Sequence, residues 1–136
     1  MAADCIYCKI LNNELPSWRV YEDDKTLAIL DLGPVAKGHT LVIPKKHVAD
    51  IFDIDEALWL DVTRTAKKVA HAVIDATKAD GLNFTINNKP AAGQAIYHLH
   101  LHLIPRYVGD GLQVWPKQKY AEGELDAMLT KIKSKL

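Results

Sequence analysis

The sequence lacks the features that mark a membrane or secreted protein. Within its 136 residues, no apolar stretch approaches the ~18 residues that a membrane-spanning helix needs. Residues 1–5 show no positively charged stretch followed by an apolar one, as a secretory signal would. The two cysteines, Cys5 and Cys8, are too few for a disulfide framework. We therefore expect a cytoplasmic protein with no membrane contact.

Charge of either sign is not in excess. Seventeen Lys and Arg residues balance 17 Asp and Glu residues, and the formal net charge is zero. No block of like charges is present, so the basic face typical of nucleic-acid binding is missing. The chain also contains no internal repeat or low-complexity tract, and its length suits one ordinary domain. We expect a single domain over residues 1–136 and no nucleic-acid partner.

The patterning predicts an α+β fold. Apolar residues at gaps of three and four predict one long helix over residues 56–79, with Asp55 as its N-cap and Gly81 as its stop signal. A short helical turn is predicted over residues 5–11, and a packed C-terminal helix over residues 122–136. Short apolar segments predict strands at 19–21, 26–32, 39–44, 82–87 and 97–104, and Pro105 is expected to end the last one. Together they favour a five-stranded, mainly antiparallel sheet covered on one face.

Three histidines alternate with three leucines in the segment 98–103. Alternation in a strand sends the leucines to the core and the imidazoles to the opposite face, which we expect to be open or wet. One interpretation is an amphipathic strand whose polar side happens to be histidine. A second is a metal site, but same-face residues lie ~7 Å apart, so at most one of them easily joins ligands from elsewhere. The third is nucleophilic and acid–base catalysis, which suits a side chain that titrates near neutrality.

The two cysteines are three residues apart. In a turn or short helix this spacing brings both sulfurs to one side, as a thiolate metal site requires. Two ligands do not complete a zinc site, and two small residues buried near the N-terminus are the alternative. A redox pair is less favoured, because no thioredoxin-like βαβ pattern follows.

The segment His98–Leu103, preceded by Gly93-Gln94 and followed by Ile104-Pro105-Arg106, resembles the histidine triad (HIT) family. Residues 5–10, 30–31 and 38–47 resemble the family's opening, its ribose-contacting segment and its central strand, so the resemblance covers nearly the whole chain. The most similar branch is the HINT-like one in its bacterial-type Cys-x-x-Cys variant.

The resemblance implies a nucleotide phosphoramidase or nucleotidyl hydrolase. Such an enzyme cleaves P–N or P–O bonds at a purine nucleoside monophosphate through a nucleotidyl-histidine. His100 would be the nucleophile, with its second ring nitrogen donating to the backbone carbonyl of His98. His102 would contact the phosphoryl oxygens or assist the leaving group.

The resemblance also implies the nucleotide contacts. The expected residues are Asp31, Leu32, Asn87, Gly93, Gln94, Ala95, His100 and His102. Asp31 would accept hydrogen bonds from the ribose hydroxyls, although alone it fits a strand-end turn equally well. Amides of residues 93–95 would cradle phosphoryl oxygens. Ala95 stands where many HINT-like members carry serine or threonine, so a hydroxyl near the leaving group is missing.

Further implications concern metal and assembly. Cys5, Cys8, His47 and His98 would bind a structural zinc ion, which gives His98 a role apart from catalysis. Family members usually dimerise, and we expect a homodimer. Two alternatives stay open. One is a dinucleoside polyphosphate hydrolase, since Arg106 also occurs in that branch. The other is a zinc-stabilised nucleotide-binding module with negligible turnover.

Overall fold

The computed structural model describes residues 4–136 and contains an α+β fold around one sheet. All strand pairs are antiparallel, in the order β1-β2-β3-β5-β4. The elements are α1 (Ile6–Leu11), β1 (Arg19–Glu22), β2 (Thr26–Leu30), β3 (Thr40–Pro44), α2 (Glu56–Thr77), β4 (Gly81–Ile86), a 3₁₀ turn (Pro90–Ala92), β5 (Leu101–Arg106) and α3 (Glu124–Lys133). The predicted fold class is confirmed.

Helix α2 begins where the sequence indicates and ends earlier. The Asp55 side chain caps it by accepting a hydrogen bond from the Leu58 amide at 2.9 Å. The helix stops after Thr77 because Lys78 adopts a left-handed conformation, with φ 56° and ψ 32°. The prediction of Gly81 as the stop signal was wrong, since Gly81 is the first residue of β4.

Helix α2 covers one face of the sheet. Its buried stripe, which includes Val62, Ala66 and Val69, packs in one cluster with Leu101 and Leu103. Leu99 belongs to the same cluster, so alternation sends all three leucines to the core as predicted. Burial of each leucine contributes roughly 1.5–3 kcal/mol before opposing entropy terms. This packing fixes the direction of the histidine side chains on the opposite side.

Helix α1 covers the other face, so two expectations were wrong. Tyr7 and Ile10 pack against side chains of β2 and β3, including Leu27. The sheet is therefore covered on both faces at β2 and β3, and not on one face throughout. The histidine side is open only at His102, which is partly exposed and lines a cavity. His98 is fully buried and His100 is 8% exposed, because the short N-terminal helix lies over them.

The fifth strand differs from its predicted bounds. Residues 97–100 are not part of strand β5. The amide of Leu99 nevertheless donates to Val48 O at 2.8 Å and holds this segment against the residues that follow β3. Pro105 does not end the strand but pairs with Leu82 of β4. Strand β3 pairs with β5 only at residues 101–103. On the side of β5 that faces β3, Pro105 has no strand partner. Its missing N–H therefore interrupts no hydrogen bond between the strands.

Helix α3 forms as predicted but does not pack on the domain. Its apolar side chains Leu125, Met128, Leu129 and Ile132 are 42–61% exposed. The expectation of a packed terminal helix was therefore wrong for the single chain. Among residues 4–136, no helix combines the length and apolar character needed to cross a membrane.

Candidate functional site: two histidine clusters on one segment

His98 presents one ring nitrogen to the N-terminal cysteines. Its Nε2 lies 2.8 Å from Pro44 O. A carbonyl oxygen can only accept a hydrogen bond, so we assign the N–H to Nε2. The unprotonated Nδ1 lies 3.4 Å from Cys5 Sγ and 3.6 Å from Cys8 Sγ. Burial lowers the pKa of His98 to about 4, which keeps the ring neutral, as a metal ligand must be.

His47 completes a four-donor cluster with the same atoms. Its Nδ1 lies 3.2 Å from His98 Nδ1 and 3.3 Å from Cys8 Sγ, and all four donors lie within 4.8 Å of one another. Tetrahedral zinc, with bonds of ~2.0 Å to nitrogen and ~2.3 Å to sulfur, separates two nitrogens by roughly 3.3 Å and a nitrogen from a sulfur by roughly 3.6 Å. The donor set and its spacing fit zinc. Cys5 caps α1 and Cys8 lies in its first turn, so the helix itself sets the thiol spacing.

His100 carries its proton on the other ring nitrogen than His98 does. Its Nδ1 lies 2.7 Å from His98 O and donates to that carbonyl, which leaves a lone pair on Nε2. Burial lowers the pKa of His100, and the hydrogen bond to His98 O opposes that effect. The ring of Tyr7 lies edge-on to His100 with centroids 5.1 Å apart. The result is a fixed, neutral imidazole with one unprotonated nitrogen.

His102 is oriented by His39, a residue that the sequence interpretation did not single out. The amide of Val35 donates to His39 Nδ1 at 3.1 Å, so His39 carries its proton on Nε2. That N–H donates to His102 Nδ1 at 2.9 Å, and the His102 proton therefore lies on Nε2. This Nε2 is buried without a hydrogen-bond partner among the described residues. Burial, with smaller contributions from His100 and His39, lowers the pKa of His102 to about 4.

Asp31 follows β2 and forms the strand-end turn that was considered for it. Its Oδ1 accepts the Gly33 amide at 2.9 Å in a turn, and its Oδ2 lies 3.6 Å from His39 Nε2. The neighbouring Leu32 is 74% exposed. Asp31, His39 and His102 could geometrically hold a metal ion. However, the Val35 amide places a proton on the His39 nitrogen that would have to be a ligand, so a hydrogen-bonded chain fits better.

The loop before the histidines offers fewer amides than expected. The amides of Gly93 and Gln94 donate to Pro90 O at 2.9 Å and Lys89 O at 3.2 Å. The amide of Ala95 has no partner within residues 4–136, and it remains available to a ligand. Asn87 lies directly after β4, with Nδ2 3.5 Å from Gly93 O.

Gln94, Lys89 and Asp50 anchor this loop. The buried Gln94 side chain donates to Ala49 O at 2.7 Å and accepts the Lys89 amide at 2.8 Å. Lys89 has φ 73° and ψ 159°, a conformation that costs a non-glycine residue roughly 1–3 kcal/mol. Its Nζ lies 2.6 Å from the buried carboxylate of Asp50, whose pKa this contact lowers. No sequence signal marked this pair, because its members are far apart in the chain.

Comparison with known proteins agrees with this geometry. The HIT domain profile matches residues 12–109. "Protein hit" of Bacillus subtilis is 45% identical over 116 residues, which cover 84% of this chain and 80% of that protein. "Adenylylsulfatase HINT3" of Arabidopsis thaliana is 39% identical over 109 residues, which cover 80% of this chain and 55% of that protein. The chain belongs to the HIT family.

Solved structures show the same fold. A HIT family member from Bacillus subtilis has a TM-score of 0.90 and 39% identity, covering 98% of this chain and 97% of that one. A zinc-bound histidine triad family protein from Mycobacterium smegmatis has a TM-score of 0.77 and 36% identity, covering 98% of both chains.

Proposed function

We propose that this chain is a nucleotide phosphoramidase or nucleotidyl hydrolase that cleaves P–N or P–O bonds at a purine nucleoside monophosphate. The observation that carries the proposal is the 2.7 Å hydrogen bond from His100 Nδ1 to His98 O. It leaves the Nε2 lone pair unprotonated, which is the form of imidazole that attacks phosphorus. Membership of the HIT family and the name of the Arabidopsis relative support a nucleotide as the substrate.

The reaction proceeds in two displacements at His100. Nε2 bonds to the α-phosphorus while the bond to the leaving group breaks, and that group departs with the electron pair and takes a proton from water. Water then attacks the nucleotidyl-histidine, and the P–N bond electrons return to Nε2. The His98 carbonyl holds the ring while it carries positive charge in the intermediate.

His102 acts as a neutral hydrogen-bond donor to a phosphoryl oxygen. Its Nε2–H is fixed by His39 and has no partner among residues 4–136. Because its pKa is lowered to about 4, the ring has no acidic proton to transfer at neutral pH. Stabilising the charge on phosphorus therefore suits His102 better than protonating the leaving group.

The nucleotide lies between two loops. Asp31 accepts hydrogen bonds from the ribose hydroxyls through Oδ2, with Leu32 beside it. Asn87 and the Ala95 amide donate to phosphoryl oxygens, while Gly93 and Gln94 shape the loop that presents them. Support comes from the unpartnered Ala95 amide and from the position of Asn87 at the end of β4.

Cys5, Cys8, His47 and His98 bind one structural zinc ion per chain. The spacing of the four donors supports this assignment, as does the zinc-bound relative from Mycobacterium smegmatis. The ion would fasten α1 to the histidine segment. Since α1 supplies Tyr7 against His100, the zinc site would stabilise the surroundings of the nucleophile without taking part in the reaction.

Incubation with adenosine 5′-phosphoramidate, followed by chromatography of AMP, tests the proposed function. Adenylyl sulfate is a second substrate to include, because the Arabidopsis relative is named an adenylylsulfatase. Turnover supports the proposal. AMP binding with no turnover of either compound would contradict it and favour the binding module.

We also propose a homodimer. Strand β4 is the last strand of the sheet, and Phe84 on it is 47% exposed. Leu60, on the outer side of α2, is 52% exposed. An unpaired strand edge beside apolar side chains favours association with a second copy. Sedimentation at micromolar concentration should give twice the 15.2 kDa chain mass, whereas a monomer would contradict the proposal.

A further inference from the structure

Residues 87–96, which we call the phosphate-side loop, connect β4 to the histidine segment. The loop carries both donors proposed for phosphoryl oxygens, with Asn87 at its start and the Ala95 amide near its end. None of residues 87–96 belongs to a strand, so hydrogen bonds of the sheet do not set the distance between the two donors. That distance depends on the contacts that the loop makes with the rest of the chain.

The loop is held by residues 48–54, which follow β3. At one end, the amide of Ile51 donates to Asn88 Oδ1 at 2.8 Å. At the other end, Gln94 Nε2 donates to Ala49 O at 2.7 Å. These two hydrogen bonds lie next to the two phosphate donors in sequence, and a third contact lies between them.

The third contact is the ion pair between Lys89 and Asp50. Lys89 Nζ lies 2.6 Å from Asp50 Oδ2, and the Asp50 side chain is 2% exposed. The other carboxylate oxygen accepts the Phe52 amide at 3.0 Å, which fixes the orientation of the carboxylate. Lys89 Nζ also lies 5.6 Å from the centroid of the Phe52 ring. Because the carboxylate is buried, salt screens this pair less than it screens an exposed one.

The backbone of Lys89 has a conformation that favours glycine, with φ 73° and ψ 159°. Its carbonyl accepts hydrogen bonds from the amides of Ala92 and Gln94 at 3.1 and 3.2 Å, so the turn that leads to Ala95 starts from this residue. A change of φ at residue 89 would therefore move Ala95 relative to Asn87. The ion pair opposes such a change, because it ties the end of the Lys89 side chain to a buried group.

We propose that Asp50 is a positioning residue for phosphate binding, which holds Lys89 in the conformation that brings Asn87 and the Ala95 amide to one phosphate group. The inference rests on the proposed function, since the phosphate is that of the nucleotide. Asp50 acts through Lys89 and does not touch the substrate. The Lys89 ammonium is paired with Asp50 and does not bind the phosphate.

The ratio of the Kd values for adenosine and AMP measures what the phosphate contributes to binding. Lys89→Ala and Asp50→Asn should each lower this ratio about tenfold and leave the adenosine Kd unchanged, because the phosphate donors no longer converge. Lys89→Gly should keep the parent ratio, since glycine adopts this conformation without the ion pair. Adding Asp50→Asn to Lys89→Gly should then have no further effect.

Arg64→Ala is the matched control, because it removes a cation from an exposed ion pair with Asp61 on α2. It should leave the ratio unchanged. The inference is overturned if Lys89→Gly lowers the ratio as much as Lys89→Ala, since the lysine charge itself would then bind the phosphate. It is also overturned if neither Lys89→Ala nor Asp50→Asn changes the ratio, or if both weaken adenosine as much as AMP.

A chain that binds neither adenosine nor AMP would contradict the proposed function. The positioning of the loop would then be decided by the NMR chemical shift of the Ala95 amide in isotope-labelled protein. Lys89→Ala and Asp50→Asn should move this signal, whereas Lys89→Gly should leave it close to its parent position. A signal that stays in place in Lys89→Ala would show that the ion pair does not position the loop.

Discussion

His98 and His100, two residues apart in the histidine segment, use the same side chain in opposite ways. At His98 the backbone carbonyl of Pro44 accepts a hydrogen bond from Nε2–H, and Nδ1 faces two sulfurs and His47. At His100 the carbonyl of His98 accepts a hydrogen bond from Nδ1–H, and Nε2 carries the lone pair. The roles therefore follow from which nitrogen the backbone engages, and not from residue type or pKa, since burial lowers both pKa values.

Replacing the nucleophile gives the largest expected effect. His100→Ala should fold and bind AMP, because the surrounding walls remain, while turnover falls by on the order of 10³-fold or more. Phosphoramidate kinetics measure the loss, and mass spectrometry after alkaline quenching should find a nucleotidyl group on His100 in the parent. His71→Ala, on an exposed part of α2, is the control. Turnover that survives in His100→Ala would exclude the mechanism.

Breaking the metal cluster that contains His98 should affect metal content and stability more than turnover. Cys8→Ser removes a buried thiolate donor, so we expect loss of zinc and a melting temperature lower by on the order of 10 °C. Metal analysis of protein purified without chelator gives the zinc content, and chelation of the parent should reproduce the lower melting temperature. A parent without zinc, with both thiols free, would instead support a pair of buried cysteines.

The ribose contact comes next in size. Asp31→Ala should weaken AMP binding about tenfold to a hundredfold, since a hydrogen bond to a charged group contributes roughly 1.5–3 kcal/mol. Calorimetric titration measures the change, and Asp24→Ala at an exposed position is the matched control. The parent should also bind a 2′,3′-dideoxy nucleotide more weakly than AMP. Equal affinities would show that Asp31 does not contact the ribose.

Lys89 allows a test of how the phosphate-side loop is held. Both Lys89→Ala and Lys89→Gly remove the ion pair with Asp50, but only alanine keeps a side chain at φ 73°. We expect the glycine variant to be more stable than the alanine variant by about 1–3 kcal/mol in urea unfolding. Equal stabilities would mean that the loop relaxes to another conformation. The lost charge is common to both variants, so the difference reports the backbone strain at residue 89, reduced by the greater entropy of glycine in the unfolded chain.

Local periodicity predicted those parts of the fold that local contacts determine. The α2 stripe follows from spacing alone, and so does the division of residues 98–103 between the two faces of the sheet. The Asp55 cap likewise depends on residues within one turn. Features set by distant partners were missed. The burial of His98 depends on Tyr7 of α1, some ninety residues earlier in the chain. Pro105 is tolerated because the pairing of β5 with β3 stops at Leu103.

The candidate site also combines residues that could be identified from the sequence with residues that could not. Resemblance identified the triad, and the cluster of Cys5, Cys8, His47 and His98 assembles as it implied. It did not identify His39, because nothing in the sequence shows that a histidine at the start of β3 contacts His102. Arg106 served only as a point of resemblance to the dinucleoside polyphosphate hydrolase branch, and its hydrogen bonds to Asp110 and to Asn83 of β4 were not predicted.

His102 provides the smallest expected effect, in the pH dependence of stability. Its pKa is about 4 in the folded chain and 6.5 in a model peptide, so the unfolded state binds the proton more readily. The stability that this group contributes is present above pH ~6.5 and is lost as the pH falls toward 4. The full shift corresponds to ~3 kcal/mol, and the solvent access of the half-buried ring reduces the expectation to about 1 kcal/mol.

His102→Asn, whose side-chain oxygen can still accept from His39, should therefore lose about 1 kcal/mol less than the parent between these pH values. Urea unfolding at several pH values measures the difference, and His71→Asn should follow the parent, since His71 is exposed. Parallel curves for parent and His102→Asn would mean that His102 is protonated alike in both states, and the neutral-donor role would fail with it.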